Sequence, residues 1–340
     1  MQKCRILVTG GTGYIGSHTV VELQQSDYEV VIIDNLSNSN REVLDGIESI
    51  TGIRPHFVEG DVTDLEIVKK LFSDYPGIKG IINFAASKAV GESMEKPLLY
   101  YRNNLNTLIN LLELMPQFGV VGIVFSSSCT VYGEPDVNPI DETAPIKAAT
   151  SPYGNTKQIS EEIIEDYVAS GAPIKSVILR YFNPVGAHPS GLIGELPLGV
   201  PQNLVPFLTQ TAAGIRKELT VFGTDYNTPD GSCIRDYIDV VDLAKAHVIA
   251  MERMLNGKDN DAIEIFNLGT GKGLSVLELI NAFEEATGVK VPHKIGDRRA
   301  GDIEKIWANP YKANNVLGWK AEADIKDTMR NAWKWQCNVK

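Results

Sequence analysis

Tyr153 and Lys157 stand four residues apart in the run Ser151-Pro152-Tyr153-Gly154-Asn155-Thr156-Lys157, where a helical pattern begins. That spacing puts both side chains on one helix face. An unperturbed tyrosine, with a pKa of about 10, is too weakly acidic to serve as a base near neutrality. A neighbouring ammonium favours the phenolate, and a second cation in the same cleft would favour it further. Lowering the pKa by about three units takes about 4 kcal/mol, within reach of two such charges. Alone, a Tyr-x-x-x-Lys pair also fits an ordinary helix face. A serine-rich strand end some 25 residues before the tyrosine, Phe125-Ser126-Ser127-Ser128-Cys129-Thr130, gives it chemical sense. Ligands of α/β sheets bind outside the carboxyl ends of the strands. Ser128 is placed there to hold a hydroxyl that Tyr153 deprotonates; the plainer reading is a serine that satisfies its own backbone.

A second constellation binds rather than reacts. Gly10-x-x-Gly13-x-x-Gly16 directly follows an apolar strand at 6–9 and opens a helix. Glycines at these positions permit the tight turn and let backbone approach a pyrophosphate, while the helix N-terminus offers unpaired N–H groups. Asp34 ends the second strand, where a carboxylate accepts from ribose hydroxyls and repels a 2′-phosphate. The pattern therefore points to NAD rather than NADP. Asp61, after the third strand, stands where it faces an adenine or a solvated loop equally well.

These groups need a scaffold, and the apolar rhythm supplies one. Short β-branched runs at 6–9, 30–34, 56–59, 80–84, 121–126 and 176–180 alternate with helical patterns. This is the signature of βαβ units, a Rossmann-type doubly wound parallel sheet of the α/β class. After about Arg180, proline and glycine become dense, as befits binding loops. Regular patterns return as a helix at 240–254, a strand at 263–268 and a helix at 276–287. The expected division is an NAD-binding domain at 1–182, with parts of about 236–268 packing back on it, and a smaller mixed α/β substrate domain at 183–340. The helix at 240–254 suits a domain core or a subunit interface equally.

The chain has 340 residues, 32 Lys+Arg against 43 Asp+Glu, and a net charge of -11. Such a surface argues against nucleic acid or an anionic membrane as partner. Its four cysteines are widely spaced, with no CxxC pair, and its five histidines do not cluster in sequence. A disulfide framework and a metal site are not expected, and a cytoplasmic location is. The N-terminus lacks a signal-peptide pattern, and no apolar run approaches the roughly 20 residues of a membrane span.

Together the glycine turn, the serine strand end and the Tyr-x-x-x-Lys helix resemble the extended short-chain dehydrogenase/reductase family. The resemblance covers nearly the whole chain and is carried by 10–18 (GGTGYIGSH), 34–36 (DNL), 88–93 (KAVGES), 126–133, 151–157, 180–191 (RYFNPVGAHPSG) and 230–237. The stretch at 180–191 is the most specific, and resembles the branch that epimerises UDP-hexoses at C4. That resemblance implies Tyr153 as general base, Lys157 as its supporting cation and Ser128 as hydroxyl partner. It implies NAD contacts from Gly10, Gly13, Tyr14, Ile15, Gly16, Asp34, Asn35, Asp61, Val62, Phe84, Ala85, Lys88, Asn103, Lys157 and Phe182. It implies a UDP-sugar held by Asn183, Asn203, Leu204, Val221, Phe222, Arg235, Tyr237, Arg299 and Asp302, beside Ser128 and Tyr153. The physical reading of the arginines agrees, since Arg235 and Arg299 can pair bidentately with phosphate.

The expected chemistry is interconversion of UDP-glucose and UDP-galactose through a 4-keto sugar, with tightly bound NAD regenerated in each cycle. The resemblance also implies a homodimer. One position departs: Ile306, within 298–307 (RRAGDIEKIW), stands where relatives carry either tyrosine or a smaller residue limiting room at the sugar's 2-substituent. Some activity on UDP-N-acetylhexosamines is expected. The dehydratases of this fold place Asp-Glu after the strand-end Ser or Thr, where this chain has Cys129-Thr130. A uronate epimerase is a further alternative. A non-catalytic NAD-binding scaffold would be expected to have lost part of the Ser128, Tyr153 and Lys157 set.

Overall fold

The computed structural model describes residues 3–299 and 302–339. Strands β1 (Arg5–Thr9), β2 (Glu29–Asp34), β3 (His56–Glu59), β4 (Ile78–Asn83), β5 (Gly122–Ser128) and β6 (Lys175–Tyr181) alternate with helices. The helices among them are α1 (Tyr14–Gln25), α2 (Val43–Thr51), α3 (Leu65–Asp74), α4 (Val90–Glu95), α5 (Pro97–Leu114) and α6 (Pro152–Ala169). Then come β7 (Asn183–Val185), α7 (Leu204–Ala212), β8 (Leu219–Phe222), β9 (Ile234–Arg235), β10 (Tyr237–Asp239), α8 (Val240–Leu255) and β11 (Ile263–Leu268). The chain ends with β12 (Leu274–Ser275), α9 (Val276–Thr287), β13 (His293–Gly296), β14 (Lys305–Ile306) and α10 (Ile325–Asn338).

Seven strands form one sheet in the order β11-β6-β5-β4-β1-β2-β3, and every pairing in it is parallel. The chain leaves β1 toward β2 and β3, then returns to place β4 on the other side of β1. This reversal opens a crevice at the carboxyl ends of β1 and β4. Alternation in the strands explains the two layers. Ile6, Val8, Val30, Ile32 and Ile82 pack with Val20, Val21 and Leu23 of α1 and with Leu243 and Met251 of α8. Their neighbours Leu7, Val31, Ile33 and Ile81 pack on the opposite face with Val68 and Leu71 of α3 and Leu108 and Leu111 of α5. Buried on both faces, these strands read as continuous apolar runs.

The helix at 240–254 is a core element: Val240, Leu243, Ala244, Ala246, Ala250 and Met251 of α8 are fully buried. Its exit strand β11 pairs with β6. The later elements build a separate small core from Val205 and Leu208 of α7, Leu279, Ile280 and Phe283 of α9, and Met329 of α10. Asp242 on α8 accepts from the Glu322 and Ala323 amides at 2.7 and 2.8 Å, tying the C-terminal segment to the main sheet. A further cluster joins the two regions, with Cys129, Phe182 and Ile306 among its members. β5 runs two residues beyond its expected end because Ser127 and Ser128 still pair with Arg180 and Tyr181 of β6. Phe84, expected in β4, lies just past it.

Candidate active site

α6 delivers its first turn to the end of β5. The Ser151 hydroxyl caps the helix by accepting from the Gly154 amide at 3.1 Å, and Pro152 in the first turn loses no helical hydrogen bond. Tyr153 is thereby half-buried, close enough to Ser128 for that hydroxyl to favour its ionisation. The Ser128 hydroxyl accepts from the Thr130 amide at 3.2 Å, satisfying its own backbone. One turn on, Lys157 is buried. Its Nζ donates to the Ser126 carbonyl at 2.5 Å and lies 4.9 Å from the Phe125 ring and 5.9 Å from the Tyr153 ring.

The electrostatics differ from the sequence expectation. Burial pushes the Tyr153 hydroxyl up to about 12, helped by the Cys129 thiol and opposed by the nearby Ser128 hydroxyl. Burial also draws the Lys157 ammonium down to about 8, against the opposing charge of Glu161. The lysine is engaged with a backbone carbonyl and stands some way from the phenol, so desolvation outweighs its attraction. Bringing Tyr153 from about 12 to neutrality takes about 7 kcal/mol. That requirement fits a site completed by a bound cation.

The cofactor cradle has the shape the glycines demand. Gly10 has φ +67, and a Cβ there would meet the Ala85 amide nitrogen at 2.9 Å. A Cβ on Gly16 would come within 2.2 Å of the Gly10 carbonyl. Among the described residues no side chain caps α1 at Gly13, so its first-turn amides remain open to an anion. Asp34 folds back on this turn, accepting from the Thr12 amide at 3.2 Å and the Leu36 amide at 2.9 Å. Asn35 donates to Asp61 at 3.0 Å. Burial would raise the Asp61 carboxyl, but hydrogen bonds from Thr63 and Asn35 prevail and hold it below the usual range. The same rim carries Tyr14, whose hydroxyl donates to the Gly186 carbonyl at 2.8 Å, and Ile15. It also carries buried Val62 and Phe182, Phe84, Ala85, and Asn103, which donates to the Ser87 hydroxyl at 3.2 Å. These residues fit a dinucleotide with a free 2′-hydroxyl.

Across the crevice, the two arginines converge on one carboxylate. Arg299 bonds Asp302 at 2.7 and 3.2 Å, and Arg235 stands 3.8 Å from the same group. Arg299 also lies 5.6 Å over the exposed Phe222 ring. Two residues of the surrounding run, Ala300 and Gly301, lie outside the described residues. Asn183 and Tyr237 pair between β7 and β10, Val221 is buried in β8, and Ile306 pairs with Arg235 between β14 and β9. Asn203 precedes Leu204 at the start of α7 and donates to Glu195 at 2.6 Å. Lys88 reaches the same Glu195 at 3.4 Å, so a cation and an amide from distant parts of the chain meet on one carboxylate.

Three groups of evident importance were not singled out from sequence. Glu195 is one. Asp236 is another: fully buried, it accepts from the amides of Thr270, Gly271 and Ala308 and so ties Arg235 and Tyr237 to the segment after Ile306. The third is the Glu161–Arg180 ion pair. Glu161 follows Lys157 by one helical turn, and Arg180 opens the 180–191 stretch. Those placements were the available signals.

Residues 7–332 match the family model described as GDP-mannose 4,6 dehydratase. A UDP-glucose 4-epimerase of Bacillus subtilis (strain 168) is 51% identical over 331 residues, covering 97% of this chain and 96% of that protein. The crystal structure of a UDP-glucose 4-epimerase from Stenotrophomonas maltophila with bound NAD and formylated UDP-arabinopyranose superposes with a TM-score of 0.94 at 49% identity, covering 98% of both chains. The epimerase of Bifidobacterium longum in complex with NAD+ and UDP gives 0.93 at 46%, again covering 98% of both. The chain belongs to the UDP-glucose 4-epimerase family of extended short-chain dehydrogenases/reductases.

Proposed function

We propose that this protein is an isomerase that interconverts UDP-glucose and UDP-galactose by inverting C4 of the sugar through a 4-keto intermediate. The observation that carries the reading is the convergence of three groups along one crevice. These are the glycine cradle with Asp34, the Ser128–Tyr153–Lys157 set, and the arginines that meet at Asp302. NAD, when bound, supplies the acceptor and donor for the C4 hydride and a positive ring beside Tyr153. Tyr153 takes the proton from the sugar 4-hydroxyl and later returns it. Ser128 orients that hydroxyl, and Lys157 stabilises the phenolate. Arg235 and Arg299 hold the diphosphate bidentately in exchange for Asp302. With the UDP anchored, the keto sugar turns over and presents its other face. Asn183, Asn203, Leu204, Val221, Phe222 and Tyr237 line the path of the nucleotide and sugar.

The family model carries a dehydratase's description, but expelling water needs a further acid/base pair after the strand end. Cys129 occupies the first of those positions, and burial pushes its thiol up to about 12. The domain reading divides the chain at 1–182 and 183–340, with α8 and β11 belonging to the NAD-binding part. A homodimer is supported by an apolar stripe on α4 and α5, where Met94 is 61% and Leu98 75% exposed. The acidic surface argues against nucleic acid. Among the described residues no helix is long and apolar enough to cross a membrane. The free cysteines suit a reducing cytoplasm. Ile306, shorter than tyrosine and packed with Cys129 and Phe182, favours acceptance of UDP-N-acetylhexosamines as well.

The test is NMR of the purified protein with UDP-galactose and no added NAD. Formation of UDP-glucose is expected. No conversion even after NAD is supplied would refute the function.

A further inference from the structure

Glu161 lies one turn beyond Lys157 on α6, and its side chain is 6% exposed. Its carboxylate accepts from Arg180 Nε at 3.0 and 3.2 Å and from Nη2 at 2.5 Å, and from the Ser127 hydroxyl. Arg180 Nη1 donates to the Tyr132 hydroxyl at 3.0 Å, with the guanidinium 5.0 Å over that ring. Tyr132 in turn donates to Asn267 at 2.7 Å. One buried network thus joins the helix of Tyr153, the strand of Ser128, and strands β6 and β11.

A buried ion pair is a poor stabiliser, since the desolvation cost can exceed the attraction and an apolar pair often packs as well or better. Its position beside Lys157 therefore asks for another reason. We propose that Glu161, clamped by Arg180, is a positioning residue of the reaction, keeping Lys157 charged and pinning the helix of Tyr153 against the strand end of Ser128. This rests on the epimerase reading above.

Lys157 is surrounded by groups from several elements. α6 contributes Tyr153 and Glu161, and β5 the Ser126 carbonyl and the Phe125 ring. β6 contributes Arg180 and Tyr181, whose hydroxyl meets that of Ser126. Cys129 follows β5 and acts on Tyr153. Tyr100 on α5 is bonded to Glu92. His247 on α8 lies 5.7 Å from the Tyr181 ring and is neutral, its pKa lowered to about 4 by burial. Within this set, the negative charge acting directly on Lys157 is Glu161. Removing it lets Lys157 lose its proton at lower pH, which deprives the Tyr153 phenolate of support. The active pH window should then narrow from both sides.

The experiment measures kcat with UDP-galactose across pH for the NAD-loaded wild type, E161D, E161Q and E161Q/R180M. Wild-type turnover tests the epimerase reading separately. E161D keeps the charge, so its limbs should stay within about 0.3 pH unit of wild type. In E161Q the alkaline limb should fall by about one unit, the acid limb should rise and kcat at neutrality should drop about tenfold, with KM within about twofold; the double variant, which also loses the opposing charge of Arg180, should shift in the same directions by about half as much. E161Q should also melt at lower temperature than the double variant, because it leaves Arg180 unpaired. Should E161Q fail to fold, the double variant carries the test. Wild-type limbs in the folded charge-removed variants, equal narrowing in E161D, or loss of folding in the double variant would make the pair merely structural and overturn the proposal.

Discussion

Replacing Lys157 with methionine isolates the charge beside the catalytic phenol. Methionine is unbranched and apolar, and the site it enters is buried, so the fold should survive. At 5.9 Å from the Tyr153 ring, with an effective dielectric of about 20, a unit charge is worth about 3 kcal/mol, or about two pH units. With its pKa near 8, Lys157 is charged at neutrality in a ratio of about ten to one, so nearly the whole effect is present there. The sign is fixed: without the ammonium, Tyr153 holds its proton to higher pH. The acid limb of kcat should rise by about two units, and turnover below it should fall about 100-fold. The alkaline fall that reports loss of the Lys157 proton should vanish. The assay is kcat for UDP-galactose under saturating NAD, with cofactor content measured after denaturation, because Lys157 is also a proposed cofactor contact. An acid limb within about half a unit of wild type in NAD-loaded enzyme would refute the electrostatic role.

Gly16→Ala should purify with little NAD, because its methyl would approach the Gly10 carbonyl to 2.2 Å and force the turn open; NAD released on denaturation measures this, and wild-type content would count against the cradle. Arg299→Met should raise KM for UDP-galactose about 10- to 100-fold, the worth of a charge-assisted contact of about 1.5–3 kcal/mol, with a smaller change in kcat. An unchanged KM would remove Arg299 from the diphosphate site. Ile306→Tyr should lower turnover of UDP-N-acetylglucosamine while sparing UDP-glucose, with both assayed at equal concentration. Equal turnover of the two by the variant, or none of the former by the wild type, would end the idea that Ile306 sets room at C2.

What sequence could and could not reveal follows from how local each signal is. The glycine turn was legible because Gly10 and Gly16 are dictated by the turn they sit in, where φ +67 and a 2.2 Å approach leave no other residue. The strands were legible because burial on both faces leaves apolar runs, and Tyr153 and Lys157 because one helix spaces them. The ionisation of Tyr153 was not legible. Spacing counts the charges near the phenol but says nothing of the burial that pushes it to about 12, nor of the Ser126 carbonyl that holds the lysine. Both arginines were named from the sequence, but their meeting at Asp302 was hidden for a different reason. Arg235 and Arg299 are 64 residues apart in sequence, and only the parallel pairing of β9 with β14 brings them to one carboxylate. Glu161 lay between these extremes. Its place one turn after Lys157 was visible, but its meaning depended on Arg180 arriving from the next strand. The long-range pairings therefore do more than support the site: they decide which charges it contains, and through them the pH at which Tyr153 can act.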